Sequence, residues 1–300
     1  MNGICRLCEQ PCILQESHII PKFIVSWLKD TSPTAKLRMG EIPNKRVQDG
    51  LKFHWLCSNC EAKFSQWETY FAEKIFHPLI NGESKIYYDT NFLKFSVSIT
   101  WRVLKYFIEQ NQTSHFSGEA ETKMNRALLI WRDFILGKEL TPHEFEQHFF
   151  NFEGELSNIT LPTSNNIHRY LQRTIDINVI TNGKNTSLVY AKLPNFPLIG
   201  YIDMYDKNQW RETKIHVKQG TLPSKSISFP LELWEFMQKR AEHSKKLKNS
   251  LSERQKQKIK ESYEQLSYDE IFKSGTIKSL ESDINLLGTK NIFIEDESNE

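Results

Sequence analysis

Four of the five cysteines occur as two C-x-x-C pairs, Cys5 with Cys8 and Cys57 with Cys60. A C-x-x-C turn delivers two thiolates to one point, and two such turns complete the tetrahedral shell of structural zinc. In a chain without an export signal, this spacing favours a metal site over disulfide bonds. The sequence therefore predicts a structural Zn²⁺ ion on these four residues. The alternatives are four reduced, buried cysteines, or a site in which Cys12 replaces one ligand.

The segment between the two pairs must form a structure of its own, because 48 residues separate Cys8 from Cys57. That distance is too long for a simple ribbon finger, so we expect a hairpin and a loop. The second pair lies in LCSNCEAKFSQWE, which leads directly into a helical pattern with its aromatic residues on one side. A knuckle, a hairpin and a helix opening at the second pair follow the order of a treble-clef zinc finger.

Three segments together resemble the HNH endonucleases, also called ββα-metal nucleases, and in particular the subgroup with two C-x-x-C pairs. They are the pair Cys5 and Cys8, the stretch SHIIPKF whose His18 follows ten residues later, and LCSNCEAKFSQWE. The resemblance covers about the first 80 residues. It implies a treble-clef ββα-metal module that hydrolyses phosphodiester bonds, usually with Mg²⁺. The family's [D/E/S]-H-x-x-P histidine activates the attacking water, so His18 is the expected general base, and imidazole titrates suitably near neutrality.

By the same resemblance, the ligands of a catalytic Mg²⁺ or Mn²⁺ ion are expected on the helix after Cys60. Glu61 and Glu68 are seven residues apart, about 700° of helical rotation, so both carboxylates can point one way with Ser65 between them. Oxygen ligands of this kind suit Mg²⁺ or Mn²⁺. The structural alternatives are an acidic residue favouring the helix dipole for Glu61 and an exposed partner of lysines for Glu68.

Two positions depart from the family pattern. Many members have Asp or Glu immediately before the histidine, where this chain has Ser17, and Glu16 would lie on the other face of the strand. Many members have Asn or His directly after the last cysteine, where this chain has Glu61. The expected catalytic metal site is therefore either rebuilt around carboxylates or lost.

For the other histidines and for the basic residues near the expected cleft, the sequence gives weaker indications of a functional role. His54 and His77 are interpreted as structural, and the structural alternative for His18 is a histidine that caps the hairpin through backbone hydrogen bonds. Phosphate contacts are predicted for Lys22, Arg38, Lys45 and Arg46, of which the last two lie in the loop PNKRVQDG. The segment Lys239–Lys260 holds nine Lys or Arg residues and two Glu, and is either a solvated helical face or a phosphate-contacting surface.

The sequence pattern of the remaining residues predicts helices around a small sheet. Apolar periodicity predicts a helix over residues 92–110 and a second over 121–136, ending before Gly137. A third helix is expected to begin at Thr141, because TPHE puts proline at the first helical position. Alternation predicts strands from about Ile175, with a hairpin at Asn182–Gly183, and then in SLVYAKL, LIGYIDMY and TKIHVKQ, forming an antiparallel sheet over about 170–220.

The last segment is predicted to be helical. Helices are expected after Pro230, with capping boxes at SERQ from Ser252 and at SYDE from Ser267, and the tail EDESNE is expected to be frayed. The predicted fold class is α+β, in which a treble-clef module over residues 1–80 is followed by a mostly helical region with a small antiparallel sheet over 81–300. The second region is expected to recognise a target or to bind a partner.

Composition narrows the class of protein. The chain has 300 residues, 39% of them hydrophobic, and a net charge of +2, which indicates a globular protein without a global basic field. Its apolar runs are too short to span a membrane and its N-terminus lacks a signal-peptide core, so a cytoplasmic protein is expected.

The expected function is DNA cleavage, with RNA as a possible substrate and bacterial defence as a family-level association. One rival is a catalytically degenerate HNH-like zinc module that binds nucleic acid or a partner protein. Another is a toxin-like effector whose C-terminal region docks onto a sensor protein. A protein partner or a homo-oligomer formed through that region is compatible with each of these functions.

Overall fold

The computed structural model describes residues 1–116, 118–153, 161–182, 185–222 and 230–292, with the side chain of residue 209 excepted. The α-helices in these ranges are α1 (Lys22–Asp30), α2 (Ser58–Phe71), α3 (His77–Ile80), α4 (Thr90–Glu109), α5 (Gly118–Leu136), α6 (Ile167–Arg173), α7 (Leu231–Asn249), α8 (Glu253–Glu264), α9 (Tyr268–Lys273), α10 (Gly275–Leu287) and α11 (Thr289–Ile292). A π-helical segment, Ala72–Phe76, joins α2 to α3, and a 3-10 helix spans Asn208–Thr213. The strands are β1 (Asn2–Ile4), β2 (Pro11–Ile13), β3 (Gln15–His18), β4 (Leu37–Arg38), β5 (Arg46–Val47), β6 (Lys52–Leu56), β7 (Ile86–Asp89), β8 (Gln147–Phe149), β9 (Asp176–Thr181), β10 (Thr186–Leu193), β11 (Phe196–Met204) and β12 (Gln219–Leu222).

All the strand pairs described are antiparallel. The largest sheet has four strands in the order β8-β11-β10-β9, and the two-stranded sheets are β1-β2, β3-β6, β4-β5 and β7-β12. The protein is therefore a mixture of helices and small antiparallel sheets, with its paired cysteines near the N-terminus.

The chain divides into two compact units, and neither is continuous in sequence. The first unit is Met1–Phe23, Gly50–Asn151 and Ile175–Ser228, and the second is Ile24–Asp49, Phe152–Thr174 and Phe229–Glu300. This division differs from the predicted single boundary near residue 80. The reason is that the cysteine-bearing segment packs against helices and strands that follow it much later in the chain.

An aromatic core joins α2 to α4 in the first unit. The ring of Phe71 stacks on Phe95 with centroids 4.0 Å apart and planes 9° apart, and it also stacks on Phe92. Phe64 of α2 meets Trp101 of α4 edge to face. These side chains are fully buried, so α4 is a central element of the unit. Without α4, the aromatic face of α2 would be exposed to solvent.

The two helices predicted from apolar periodicity are confirmed as α4 and α5. The second ends at Leu136, and Gly137 takes the left-handed conformation at φ 80° that a helix-terminating glycine favours. Trp131 of α5 packs against β11 at Gly200, where a Cβ atom would lie 2.9 Å from two carbons of the indole ring. Glycine is required there because α5 approaches the strand so closely.

The prediction of a helix beginning at Thr141 is wrong. A turn forms instead, with His143 at φ 51° and the Phe145 N–H bonded to the Pro142 carbonyl at 3.0 Å. The next residues form β8, which is buried throughout and pairs with β11. Pairing with a distant strand outweighs the local capping signal here, because each residue of β8 gains burial as well as ladder hydrogen bonds.

The sheet predicted over residues 170–220 is confirmed for three of its strands, β9, β10 and β11. The segment TKIHVKQ is not a strand of this sheet, since only Lys214 makes an isolated bridge, to His148. The strand begins later, as β12, and pairs with β7. The predicted hairpin glycine, residue 183, and the tail EDESNE lie outside the described residues.

Helix α6 lies at the centre of the second unit. Both carboxylate oxygens of Asp283, on α10, accept backbone N–H groups at the start of α6, from His168 at 2.8 Å and from Arg169 at 3.3 Å. At the other end of α6, Arg173 donates to the carbonyl of Leu28 at 2.9 Å and thereby ties α6 to α1. The unit is thus assembled around polar contacts to the ends of one short helix.

The predicted helix starts in the second unit are confirmed. Helix α7 begins directly after Pro230, α8 begins after Ser252 and α9 begins after Ser267. The capping box at Ser267 is formed in full with Glu270, whereas Ser252 makes no side-chain capping bond. Its backbone N–H instead donates to Oδ1 of Asn44, between β4 and β5, at 2.9 Å.

None of the helices in the described ranges combines the length and the apolar character needed to cross a membrane.

Candidate functional site

Four thiol sulfurs converge at one point in the first unit. The Sγ atoms of Cys5, Cys8, Cys57 and Cys60 all lie within 4.8 Å of one another, and those of Cys8 and Cys57 are 3.8 Å apart. A tetrahedron with Zn–S bonds of about 2.3 Å has sulfur–sulfur edges of about 3.8 Å. The predicted convergence is confirmed, the Cys8–Cys57 separation matches such an edge, and Cys12 lies outside the group.

Two backbone features hold the cysteines in place. Cys5 and Cys8 lie in the turn between β1 and β2, which is closed by a hydrogen bond of 3.0 Å from the Cys5 N–H to the Gln10 carbonyl. Cys57 is the N-cap of α2, and its Sγ accepts the N–H of Cys60 at 3.4 Å. The Cys57 N–H donates to Sγ of Cys5 at 3.3 Å. These N–H···S bonds stabilise thiolates and therefore favour metal binding.

The protonation of the thiols is uneven. Burial opposes ionisation of Cys5, but hydrogen bonds from the backbone of Cys8, Cys57 and Leu7 outweigh it and lower the Cys5 pKa from 9.0 to about 7. Burial raises the pKa of Cys60 and also that of Cys8. Since a metal binds thiolates, loading of this group with zinc must release protons.

The strand that carries His18 is joined to α2 by a side-chain hydrogen bond. Strand β3 ends at His18 and pairs with β6, which leads through Cys57 into α2. Ser17 is 1% exposed, and its Oγ donates to Oε2 of Glu61 at 2.6 Å. The two positions that depart from the family pattern therefore contact each other, and they place the strand end beside the first turn of the helix.

Arg102 of α4 connects His18 to Glu68. Its Nη1 donates to the backbone carbonyl of His18 at 2.7 Å and to Oε1 of Glu68 at 2.8 Å. The side chain is 1% exposed, and its Nη2 has no hydrogen-bond partner among the described residues. Sequence reasoning missed this residue. The available signal was a cation inside the apolar stretch SITWRVL, where a charge needs a buried partner.

Glu68 is held differently from Glu61. Both carboxylates lie on α2, as predicted, but Glu68 is 22% exposed and is paired with Arg102. Burial raises the pKa of Glu68 above its usual value even though the Arg102 charge acts to lower it, and the charges of Glu61 and His18 act on it in opposite directions. His18, Glu61 and Glu68 are therefore close enough to interact electrostatically, and Arg102 stabilises the ionised form of Glu68.

An open pocket of about 720 Å³ lies between the β3-β6 hairpin and α2. One wall is the helix face that carries Glu61 and Ser65, and the full lining consists of Leu14, Gln15, Glu16, His54, Ser58, Glu61, Ala62 and Ser65. At its rim Glu16 pairs with Lys52 at 3.0 Å. Glu61 is thus the predicted carboxylate that faces an accessible volume.

The described residues contain no second group of three or more His, Cys, Asp or Glu ligand atoms as close together as the four thiols. Glu68 is paired with Arg102, and Glu61 accepts a hydrogen bond from Ser17. Joint binding of Mg²⁺ or Mn²⁺ by Glu61 and Glu68 stays a prediction. A single open carboxylate still fits such an ion, because Mg²⁺ is commonly held by one or two carboxylates together with substrate phosphates.

The two histidines interpreted as structural have different surroundings. His77 begins α3, and its ring packs against the rings of Phe76 and Phe23. His54 lies opposite Glu16 in the β3-β6 pair and lines the open pocket. The structural interpretation thus suits His77, whereas His54 is placed where a ligand in the pocket would meet it.

The predicted phosphate contacts are divided between the two units. Lys22 is exposed at the start of α1, in the first unit. In the second unit, Arg38 donates to the carbonyl of Pro43 at 3.0 Å and to Oε1 of Gln255 at 3.1 Å, which makes it a structural residue of the β4-β5 hairpin. Lys45 is exposed and Arg46 is half-buried opposite Arg38. Phosphate binding by these four residues stays a prediction.

The chain matches no family model, no curated protein and no solved structure at a significant level.

Proposed function

We propose that the cysteine-bearing segment is a treble-clef ββα-metal module with structural zinc, and that the protein is an HNH-type endonuclease acting on DNA. The observation that carries the proposal is the 2.6 Å hydrogen bond from Ser17 to Glu61. This bond joins the end of β3, which bears His18, to a carboxylate on α2. The N-cap of α2 is Cys57, one of the four converging cysteines. Glu61 lines the open pocket, whereas His18 is not among the residues that line it, and the proposal relies on the Ser17 contact to bring the two near each other. A base and a hard metal ligand are the groups that phosphodiester hydrolysis needs.

Each residue has a distinct role in this proposal. His18 takes a proton from the attacking water, the role that histidine most often fills in general-base catalysis. Glu61 would hold Mg²⁺ or Mn²⁺ together with phosphate oxygens of the substrate, and the ion would stabilise charge on the scissile phosphate. Arg102 and Glu68 are positioning residues, since Arg102 fixes the backbone carbonyl of His18 rather than its ring.

A second function has its own support. Both carboxylates already have partners within the protein, and the described residues show no preformed cation cage beyond the cysteines. These contacts suit a zinc module without catalysis that binds nucleic acid or a protein partner. The two proposals share the zinc site and differ in whether His18 and a divalent ion are needed for activity.

The deciding experiment compares the wild type with His18→Ala on plasmid DNA and on RNA, in Mg²⁺ and in Mn²⁺. His243→Ala is the matched control, because His243 is exposed on α7 in the second unit. A nuclease should lose roughly 100-fold or more in cleavage rate with His18→Ala alone, the range expected for loss of a general base. All three proteins should retain the same zinc content.

If neither wild type nor variants cleave, nucleic-acid binding separates the remaining possibilities. Binding by gel shift that is equal in wild type and His18→Ala would support the non-catalytic module. Cleavage that survives in His18→Ala would refute the assigned base, and preference for RNA over DNA would refute the proposed substrate.

A further inference from the structure

Basic residues are concentrated in two segments of the second unit. Residues 36–46 and 239–260 together hold thirteen Lys or Arg residues and three Glu residues, with no Asp. The whole chain has a net charge of only +2, so these segments carry a local excess of positive charge. Both belong to the same compact unit. A local field of this kind attracts anions although the protein as a whole is nearly neutral.

Two hydrogen bonds join these segments into one surface. Nη2 of Arg38, on β4, donates to Oε1 of Gln255, on α8, at 3.1 Å. The N–H of Ser252, the N-cap of α8, donates to Oδ1 of Asn44 at 2.9 Å. The β4-β5 hairpin therefore lies against the first turn of α8. Residues that adjoin these contacts in sequence are consequently close to one another in space.

Three cations adjoin the two contacts. Lys45 and Arg46 directly follow Asn44, and Arg254 directly precedes Gln255. Lys45 and Arg254 are exposed, and Arg46 is half-buried. Among the residues that the structure describes, no carboxylate oxygen lies within 4.0 Å of the side-chain nitrogens of these three cations. They are therefore available to an anion from outside the chain.

Arg46 is the most constrained of the three cations. It lies directly opposite Arg38 in the β4-β5 pair, and like charges in that position repel each other. Its Nε atom is buried and has no hydrogen-bond partner among the described residues. Arg38 uses its own guanidinium on the neutral oxygens of Pro43 and Gln255. An anion beside this pair of arginines would offset their repulsion.

Acidic residues near the surface do not neutralise it. Glu253 pairs with Lys256 at 2.7 Å, and Glu261 accepts a hydrogen bond from Gln257 at 3.2 Å. Glu41 lies in the hairpin loop, is exposed, and forms no ion pair within the described ranges. The surface thus keeps its positive charge on both the hairpin and the helix.

We propose that the β4-β5 hairpin and the first turns of α8 form a surface that binds the phosphodiester backbone of DNA, with Lys45, Arg46 and Arg254 as its phosphate contacts. The choice of DNA rests on the proposed function, whereas the surface belongs to the second unit and the proposed catalytic residues belong to the first. Cations spread over a hairpin and a helix suit a polymer that carries one charge per phosphate. Contacts of this kind position a nucleic acid without reading its sequence.

An anionic membrane is the other extended polyanion that such a surface could meet. Helices that bind membranes present large apolar side chains next to their basic face. Helix α8 exposes none, since its Ile259 and Tyr263 are half-buried. On the hairpin, Ile42 is a single exposed apolar side chain. We therefore favour DNA, and a membrane enters the test as its rival.

The test measures binding of the full chain to a fluorescent DNA duplex by anisotropy, over a range of chloride concentrations and without added Mg²⁺ or Mn²⁺. The site variant Lys45→Gln, Arg254→Gln removes two exposed cations of the surface. The matched control Lys278→Gln, Lys290→Gln removes two exposed cations of the same unit, on α10 and α11. Both variants therefore change the net charge equally.

We expect the site variant to bind DNA roughly tenfold more weakly than wild type, or worse, because it loses hydrogen bonds to charged groups. Each lost phosphate contact should also reduce the slope of log affinity against log salt by about 0.9. The loss should be the same for unrelated sequences, since phosphate contacts carry no sequence information. The control should keep the affinity and the salt slope of wild type.

Three results would overturn the proposal. The first is the absence of DNA binding by wild type at low salt, and the second is an equal loss of affinity in the site variant and the control. The third is binding to phosphatidylserine vesicles in place of DNA. If circular dichroism shows that the double variant does not fold, Lys45→Gln decides the outcome, because Lys45 is exposed and its backbone holds the loop.

Binding without a divalent ion is measured separately from cleavage. If wild type binds DNA through this surface and never cleaves it, the nuclease proposal fails and the surface stands. If DNA is cleaved and the site variant binds like wild type, the surface fails and the nuclease stands.

Discussion

The guanidinium of Arg102 lies 2.8 Å from the carboxylate of Glu68, and the same Nη1 donates to the carbonyl of His18 at 2.7 Å. One buried nitrogen thus links the end of β3, the helix α2 and the helix α4. The contact couples the geometry of the proposed catalytic residues to the packing of the first unit.

We expect Arg102→Met to destabilise the protein strongly. Removal of one partner leaves Glu68 as a poorly solvated charge, which costs about 3–5 kcal/mol of the free energy of unfolding. Arg6→Met is the control, because Arg6 pairs with Glu109 at 2.9 Å while 43% exposed, and such surface pairs contribute about 1 kcal/mol or less. Urea denaturation measures both. The double variant Arg102→Met, Glu68→Gln should recover part of the loss, and equal effects of the two single variants would contradict a structural role for the buried pair.

Zinc should depend on the four converging cysteines and not on the fifth. Cys57→Ser is expected to lose the metal and the N-terminal fold, since structural zinc can supply on the order of 10 kcal/mol of folding free energy. Cys12→Ser should keep the zinc content of wild type, because Cys12 is outside the group. Elemental analysis and thermal melts, with and without a chelator, provide the measurement. Retention of zinc by Cys57→Ser together with its loss in Cys12→Ser would refute this ligand set.

Glu146 should stabilise the first unit in a pH-dependent way. His148 and the Lys214 ammonium, 2.9 Å away, lower the Glu146 pKa from 4.5 to about 2. Because the folded-state pKa is lowered, the stabilisation is fully present above pH 4.5 and is lost as the pH falls toward 2. Glu146→Gln should therefore reduce the free energy of unfolding by up to about 3 kcal/mol at pH 7, and by progressively less below pH 4.5.

The matched control for that prediction is Glu144→Gln. Glu144 pairs with Arg126, but the two side chains are 46% and 64% exposed, so the pair should contribute little at any pH. Chemical denaturation from pH 3 to pH 7 distinguishes the two variants. A cost for Glu146→Gln that does not change with pH would mean that the carboxylate charge is not its source.

A methyl group at residue 200 should be poorly tolerated. Gly200→Ala would place Cβ 2.9 Å from two carbons of the fully buried Trp131 ring, so α5 and β11 must separate. Overpacking of this kind costs about 1–3 kcal/mol. Gly40→Ala is the control, because nothing lies within 4 Å of the added atom there. Thermal unfolding should show a lower midpoint for Gly200→Ala only, and equal midpoints would contradict the close approach.

Local patterns in the sequence were sufficient to predict the converging cysteines and several of the helices and strands. The spacing within each cysteine pair identified all four thiols that converge, because a C-x-x-C turn presents its side chains through local backbone geometry alone. Apolar periodicity identified α4 and α5, and alternation identified β9 to β11, since each pattern reflects which face of a single segment is buried. Glu61 and Glu68 were placed on one helix for the same reason.

Contacts between distant segments were decided by tertiary structure. Arg102 donates a hydrogen bond to the carbonyl of His18, which is 84 residues away in sequence, and the periodicity of a single segment cannot predict such a contact. The segment after Thr141 carries a helix-start signal, yet it becomes β8 because β11 offers it a buried ladder. Sequence patterns indicate which side chains of a segment are buried and which are exposed to solvent. Which residues then share a buried charge or a strand ladder depends on the packing of whole elements, whose free energy is summed over contacts far apart in the chain.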